Sequence, residues 1–458
     1  MSTQELLSSV NFGFSNLDIE DIYKQQALEN IELWLTSSEF SDYVPQIQHL
    51  IKQEYWDYLL DSFYQIIPFG TGGRRGEVGI GPNRINKWTI ESSAQGHSQY
   101  LIKKYGENAK KRGIVLAYDI REFKGSKYFN DDLPNPVNEL SCLDLAKAAA
   151  GVYAANEIKV FIFESFRATP QLSFSIRHLN AIGGDMFSAS HNPPSHNGKK
   201  VCDQFGGQLI PPEDEQLVLE VTKNVSEIKK TDYEHALSKD LIQVIGAEVD
   251  NAYYKACSEL SLSDNRKAIV VYTPLHGCGL KSVEPVLDKL GFKLQMDPKT
   301  SYVDSTFENV TYNIPNPEVV ESYDLPLEYA REIKADIILS TDPDADRIGA
   351  MVLHEGKYVF LNGNQIGAIL LEYVLQKKNV KKGIVIKTAV TSNLIKKMAE
   401  INNIDLIGDL LVGFKYIGEE MNKLEQKGQM DRFLLGIEES HGYLAGNYAR
   451  DKDAVVGA

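Results

Sequence analysis

Cysteine is scarce in this sequence, and the little there is shows no pairing. Cys142, Cys202, Cys257 and Cys278 are widely spaced, with no C-x-x-C among them. That excludes a disulfide framework or a thiolate zinc site as the organising device and fits a reduced, cytoplasmic chain. A basic surplus is also lacking: 48 Lys and Arg stand against 63 Asp and Glu, a net charge of −15. Nucleic acid and an acidic membrane surface would both repel such a chain, so neither is an expected partner. An anionic substrate fits only where cations or a metal are concentrated locally. No apolar run approaches the length of a membrane span. The opening "MSTQELLSSVNFGF" has neither the basic region nor the long apolar segment of a signal peptide.

What is present is an ordinary globular composition, 43% hydrophobic and 24% charged over 458 residues, enough for about three domains. Residues 17 to 65 carry apolar side chains at three- and four-residue spacing, as in "ALENIELWLTSSEF" and "EYWDYLLDSFYQII", which predicts amphipathic helices. The pattern then changes. "RGIVLAYD", "KVFIFES", "GGDMFSAS", "KAIVVYTPL", "ADIILSTD", "KGIVIKTAV" and "RFLLGIEES" read as strands. "GLKSVEPVLDKLGF", "NQIGAILLEYVLQKK" and "TSNLIKKMAEINN" read as the helices between them. Strands alternating with helices predict α/β units with largely parallel sheets, and the alternation restarts near Ala268 and near Lys382. The expected division is a helical extension over 1–45 and α/β units over 46–240, 241–355 and 356–458. In open α/β sheets ligands gather at loops after the carboxyl ends of strands.

Four such loops carry chemistry. "DMFSASHNPPSHNGKK", residues 185 to 200, places Ser190 and His191 side by side after an apolar run and closes on two lysines. "IILSTDPDADRIG" alternates Asp342, Asp344 and Asp346 after a strand. Three carboxylates so close repel one another unless a cation sits among them, and an all-oxygen set suits magnesium or calcium. It is not an EF-hand, because Arg347 and Leu353 stand where that loop needs Gly and Glu. "PFGTGGRRGEVG", residues 68 to 79, offers glycines for close backbone approach and the guanidinium forks of Arg74 and Arg75 for phosphate. "GIEESHGY", residues 436 to 443, gathers hydroxyl-binding groups suited to a sugar, with Lys415 before it and Arg450 and Lys452 after it.

Taken together and in this order, "FGTGGRRG", "SASHNP…NGKK", "DPDADR" and "GIEESHG" resemble the signature loops of the α-D-phosphohexomutase superfamily. "YTPLHGCG" and "LVGFKYIG" are most similar to its phosphoglucomutase/phosphopentomutase-type branch. The resemblance implies homologous α/β domains around a central cleft. It implies that Ser190 carries a phosphoryl group and, with Asp342, Asp344 and Asp346, holds one Mg²⁺. His191 would steady the phosphoserine, Asn192 and the prolines would fix its turn, Lys200 would act in proton transfer, and Arg75 would bind phosphate. Glu438 and Ser440 would grip sugar hydroxyls, with Lys415, Arg347 and Lys452 completing the substrate-binding set.

The implied activity interconverts 1-phospho and 6-phospho (or 5-phospho) sugars through a phosphoserine and a bisphosphorylated sugar, which also serves as activator. Glucose phosphate is the first expectation, with mannose and pentose phosphates as alternatives. Two rival readings remain at this stage. One is a magnesium-dependent phosphatase of the Asp-x-Asp type with Asp342 as nucleophile; the other is a sugar-phosphate-binding form without turnover. The resemblance is imperfect at Gly72, where many relatives have a small polar residue. The superfamily also carries a fourth, C-terminal domain with an Arg-Pro-Ser-Gly-Thr-Glu-Pro-type loop, and nothing of that kind occurs in these residues, so a chain without that domain is the expectation. Oligomeric state is not legible.

Overall fold

The computed structural model describes residues 2–70, 72–378 and 382–458. Four helices come first: α1 (Thr3–Ser15), α2 (Asp21–Thr36), α3 (Val44–Lys52) and α4 (Trp56–Phe63). α1 starts on a reciprocal cap, with Glu5 N–H donating to Ser2 Oγ and Ser2 N–H to Glu5. It falls within the helical extension expected over 1–45 but before residue 17, where the expected amphipathic pattern begins; Leu6, Leu7, Val10 and Phe14 recur at helical spacing and are buried. Trp34 anchors this bundle, stacked on Phe40 at 4.2 Å, and the bundle shares one apolar core with the α/β unit that follows. The expected boundary at residue 45 is corrected: it cuts α3, and the helical segment runs to Phe63 because α1 packs on α2, α3 and α4.

The first sheet contains β1 (Gly73–Glu77), β2 (Ile114–Tyr118), β3 (Val160–Phe163), β4 (Gly183–Phe187), β5 (His196–Cys202) and β6 (Ile242–Ile245), in the order β1-β5-β4-β2-β3-β6. The second contains β7 (Ile269–Thr273), β8 (Lys293–Met296), β9 (Ile337–Thr341), β10 (Ile348–His354) and β11 (Lys357–Leu361), in the order β11-β10-β9-β7-β8. The third contains β12 (Ile384–Thr388), β13 (Asp405–Leu410), β14 (Phe433–Glu438) and β15 (Gly442–Leu444), in the order β13-β12-β14-β15. Each sheet has a parallel centre and an antiparallel edge: β5 against β1 and β4, β10 against β9 and β11, β15 against β14. The fold is therefore three consecutive α/β units with mixed sheets, preceded by helices.

Two further expected boundaries move. β6 pairs with β3, so the first sheet reaches past residue 240. β11 pairs with β10, so the second sheet reaches past 355. In both cases a short strand follows a polar turn, and the turn reads as a linker when pairing is invisible.

A long helix, α5 (Lys87–Tyr105), backs the first sheet and is buried along most of its length. Small residues allow this: a Cβ on Gly96 would meet the Cα of Val221 at 2.5 Å, so the helix Glu213–Lys223 lies directly on α5. Cores on either side of the first sheet separate by strand alternation. Phe187 and Val201 join the helical core, while Met186 and Cys202 join the core running into the second and third units. All four cysteines are free and buried. Among the described residues no helix is long and apolar enough to cross a membrane.

Candidate active site

The serine loop connects β4 to β5. Ser190 has φ +51°, a left-handed conformation that costs a non-glycine residue roughly 1–2 kcal/mol, so the loop must be held. Arg121, in the segment after β2, does much of this. Its guanidinium is 1% exposed and donates to the carbonyl oxygens of Pro193 (2.8 Å), Asn192 (2.7 Å) and Ser190, and it pairs with Asp119 at 3.2 Å. Asp119 also accepts from Ser188 Oγ (2.7 Å), which in turn accepts the Ser190 N–H (2.8 Å). Sequence reading missed Arg121; its signal was a buried-type Asp-x-Arg directly after a strand.

The acidic loop follows β9. Asp342, Asp344 and Asp346 are 0%, 0% and 2% exposed. One ligand oxygen from each lies within 4.8 Å of the others. The Oδ1 atoms of Asp344 and Asp346 are buried without a hydrogen-bond partner. Burial and the charges of Asp344 and Asp346 push the Asp342 carboxyl well above its ordinary range. Burial opposes ionisation of Asp344 too, yet Lys200 outweighs it and holds that carboxyl well below. Buried oxygens of this kind fit a hard divalent cation, which prefers oxygen donors.

The two loops come from different sheets and meet at Ser190. Its Oγ donates to Asp342 Oδ2 at 2.7 Å and lies 3.2 Å from His191 Nδ1. Burial, then the guanidinium groups of Arg347 and Arg75, push the His191 pKa down to about 3, so its ring is neutral beside the serine. Lys200 on β5 reaches Asp344 at 2.5 Å and Asp346 at 3.1 Å; burial disfavours its charge, but these two carboxylates push its pKa up.

A cavity of about 390 Å³ opens over this junction, and eight of the twelve expected residues line it: Arg75, Ser190, Lys200, Asp346, Arg347, Lys415, Glu438 and Lys452. Asp342 and Asp344 are buried under it. Lys452 stands 3.5 Å from both Asp346 and Glu438. Arg347 pairs with Glu318, and Arg75 donates to Asn192 Oδ1 at 3.5 Å. Lys415, from the third unit, is held by Asp214 Oδ2 and Leu209 O of the first, both at 3.3 Å. Ser440 is half-buried and is not a lining residue, and Glu439 turns away to accept from Thr388 and Thr391 at 2.7 and 3.0 Å. A second cavity of about 480 Å³ has a largely apolar lining that includes Leu260, Phe292 and Tyr373 and shares none of these groups.

Three family models match in succession: phosphoglucomutase/phosphomannomutase α/β/α domain I over residues 140–228, domain II over 251–356 and domain III over 362–458. The chain belongs to the phosphoglucomutase/phosphomannomutase family. Ser190, the aspartates and Glu438 thus fall in domains I, II and III of that family respectively. A phosphoglucomutase from Staphylococcus epidermidis is 33% identical over 400 residues, covering 85% of this chain and 67% of the relative. One from Staphylococcus aureus is 32% identical over 447 residues, covering 93% and 72%. A solved phosphoglucomutase/phosphomannomutase family protein from Burkholderia thailandensis superposes with TM-score 0.63 at 17% identity, covering 86% of this chain and 75% of that one. It shows the same fold.

Proposed function

We propose that the chain is a phosphosugar mutase of the phosphoglucomutase type, with Ser190 as phosphoryl carrier. The observation that carries the reading is the 2.7 Å contact between Ser190 Oγ and Asp342 at the floor of a cation-lined cavity. A serine ester and a sugar hydroxyl exchange a phosphoryl group only where the moving charge is neutralised. Arg75, Arg347, Lys200, Lys415 and Lys452 supply fixed positive charge around the cavity of an otherwise acidic chain. Asp342, Asp344 and Asp346, with the phosphate on Ser190, would hold one Mg²⁺, which when bound supplies Lewis-acid neutralisation of the phosphoryl oxygens.

In the first half-reaction the P–O bond to Ser190 breaks and a P–O bond to the sugar hydroxyl forms. The hydroxyl proton ends on Ser190 Oγ, with the Lys200 ammonium at the junction as the relay. The product is a sugar bisphosphate. After it turns over, its other phosphate returns to Ser190 by the reverse step, so added bisphosphate also primes unphosphorylated enzyme. Glu438 and Lys452, 3.5 Å apart in the cavity lining, orient the sugar together. Glucose phosphate is the favoured substrate because the curated relatives at 32–33% identity are phosphoglucomutases.

The test is intact-mass measurement after incubation with glucose 1,6-bisphosphate, beside a coupled assay on glucose 1-phosphate. Wild type gains one phosphate and turns over, whereas Ser190→Ala does neither while keeping its fold. Release of inorganic phosphate by a folded Ser190→Ala variant at the wild-type rate would instead support Asp342 as the nucleophile of a phosphatase.

A further inference from the structure

β5 presents two consecutive lysines to opposite sides of the first sheet. Lys200 goes to the acidic loop. Lys199 goes the other way, into the helical layer, where it is 1% exposed. Its Nζ lies 2.9 Å from Asp185 Oδ2 on β4 and donates to the Tyr153 hydroxyl at 2.9 Å. Tyr153, in the helix Cys142–Ala155, donates to the same carboxylate at 2.5 Å. His97 of α5 lies 3.3 Å from Asp185 Oδ1. All four side chains are buried in the interior. Lys199 also borders the cavity over Ser190, but its ammonium is directed at Asp185 and Tyr153, and none of the four has a role in the reaction just described.

A buried ion pair is a poor stability device, because desolvation consumes most of the attraction, but it can fix which of two packings forms. The hairpin faces such a choice. β5 reads His-Asn-Gly-Lys-Lys-Val-Cys, and apolar alternation cannot select between neighbouring lysines. A slip of one residue exchanges the faces of the whole strand. It would send Lys199 to the aspartates and Lys200 into the helices. In the observed register Asp185 is opposite Val201 and Phe187 is opposite Lys199. Asp185 and Lys199 are therefore diagonal neighbours on one face, within cross-strand reach. The same hairpin carries Ser190 at its tip.

We propose that the Asp185–Lys199 pair, steadied by Tyr153 and His97, is the register key of the serine hairpin. Both are positioning residues. They decide which lysine reaches Asp344 and hold the stem from which Ser190 projects. The consequence for catalysis rests on the roles proposed above for Ser190 and Lys200; the register itself does not.

Asp185→Asn is the test, with Tyr153→Phe as a milder variant that keeps both charges. Amide hydrogen exchange by mass spectrometry follows peptides of β5 and, as internal reference, β2. Expected for either folded variant is faster exchange confined to His196–Cys202, with β2 unchanged. Expected also is a fall in kcat of about tenfold or more with KM little altered, since small misplacements of reacting groups carry such losses. The charge-exchanged double variant Asp185→Lys/Lys199→Asp restores part of kcat. Exchange that rises equally in β2 and β5, with normal kcat in the folded fraction, overturns the proposal. So does local exchange in β5 with unchanged kcat. A wild-type protein without turnover overturns the mutase reading instead, and the exchange pattern then decides the register key alone.

Discussion

Arg121 donates to the carbonyl oxygen of Pro193 at 2.8 Å, so a guanidinium from the segment after one strand grips a loop 72 residues further on. Its neighbouring contacts to Asn192 and Ser190 make it a clamp on the backbone of the Ser190 loop. Lysine offers one point charge in place of a planar fork and cannot satisfy these carbonyls together. Arg121→Lys is expected to lower kcat by about a hundredfold, in line with the effect of small misplacements. Arg121→Met, which strands Asp119, should cost roughly 3–5 kcal/mol of stability. Steady-state kinetics and urea unfolding measure the two, and a Lys variant with wild-type kcat would show that the loop holds itself.

The acidic loop predicts metal dependence. Exhaustive chelation is expected to abolish turnover while the circular dichroism spectrum is retained, and Mg²⁺ is expected to restore it. Asp344→Asn should weaken Mg²⁺ binding, read by calorimetry. Zinc, which favours nitrogen and sulfur donors, is expected to inhibit. Full turnover after chelation would remove the metal from the mechanism.

Glu438 and Lys452 predict substrate orientation. The Oε2 atom of Glu438 lies 3.5 Å from the Lys452 ammonium and accepts no hydrogen bond, so in the cavity lining a sugar hydroxyl that donates to it supplies the contact it lacks. A hydrogen bond to a charged group contributes roughly 1.5–3 kcal/mol. Glu438→Gln should therefore lower kcat/KM by about 10- to 150-fold, with phosphate loading of Ser190 less affected. Equal losses in loading and in turnover would place Glu438 on the phosphate instead.

Asp453 predicts a pH dependence away from the reacting groups. Burial pushes its carboxyl up to about 6 from the ordinary 3.8, even though the hydroxyls of Tyr448 (2.6 Å) and Tyr253 (2.8 Å) donate to it. The folded chain thus holds this proton more tightly than the unfolded chain. Its stabilising contribution is present below pH 3.8 and is lost as pH rises to about 6. Asp453→Asn removes that dependence. Relative to wild type, the variant should gain about 2 kcal/mol between pH 4 and pH 7, at about 1.4 kcal/mol per pKa unit, since the unfolded carboxyl is already largely ionised at pH 4. Urea midpoints at the two pH values decide it; a difference that does not change with pH would contradict the elevated carboxyl.

Much of the site was legible because its loops follow strands whose apolar runs end abruptly in polar residues. Ser190 after "DMFSA" and Asp342 after "IILST" needed no pairing information. The helix α5 was not legible: it is covered on both sides, so Ser, Gln and His residues replace the usual apolar stripe. Arg121 was missed because a single arginine acquires its role only when a loop 72 residues away folds over it. Lys199 and Lys200 are chemically identical in the sequence, and only strand register separates them. Ser440 and Glu438 lie in one motif, yet the turn after β14 leaves Glu438 at the cavity and Ser440 outside its lining.

The cavity draws its groups from all three sheets, and this sets an order of events at the ribosome. Lys452 is made 262 residues after Ser190. At about 5–20 residues per second, roughly 13–50 s separate the two. During the first part of that interval the first unit can fold and expose Ser190 with neither the three aspartates nor the 436–443 loop beside it. On the mechanism proposed above, the nascent chain stays chemically silent until its third unit docks, and a chain ended between the second and third units would fold in part without transferring phosphate.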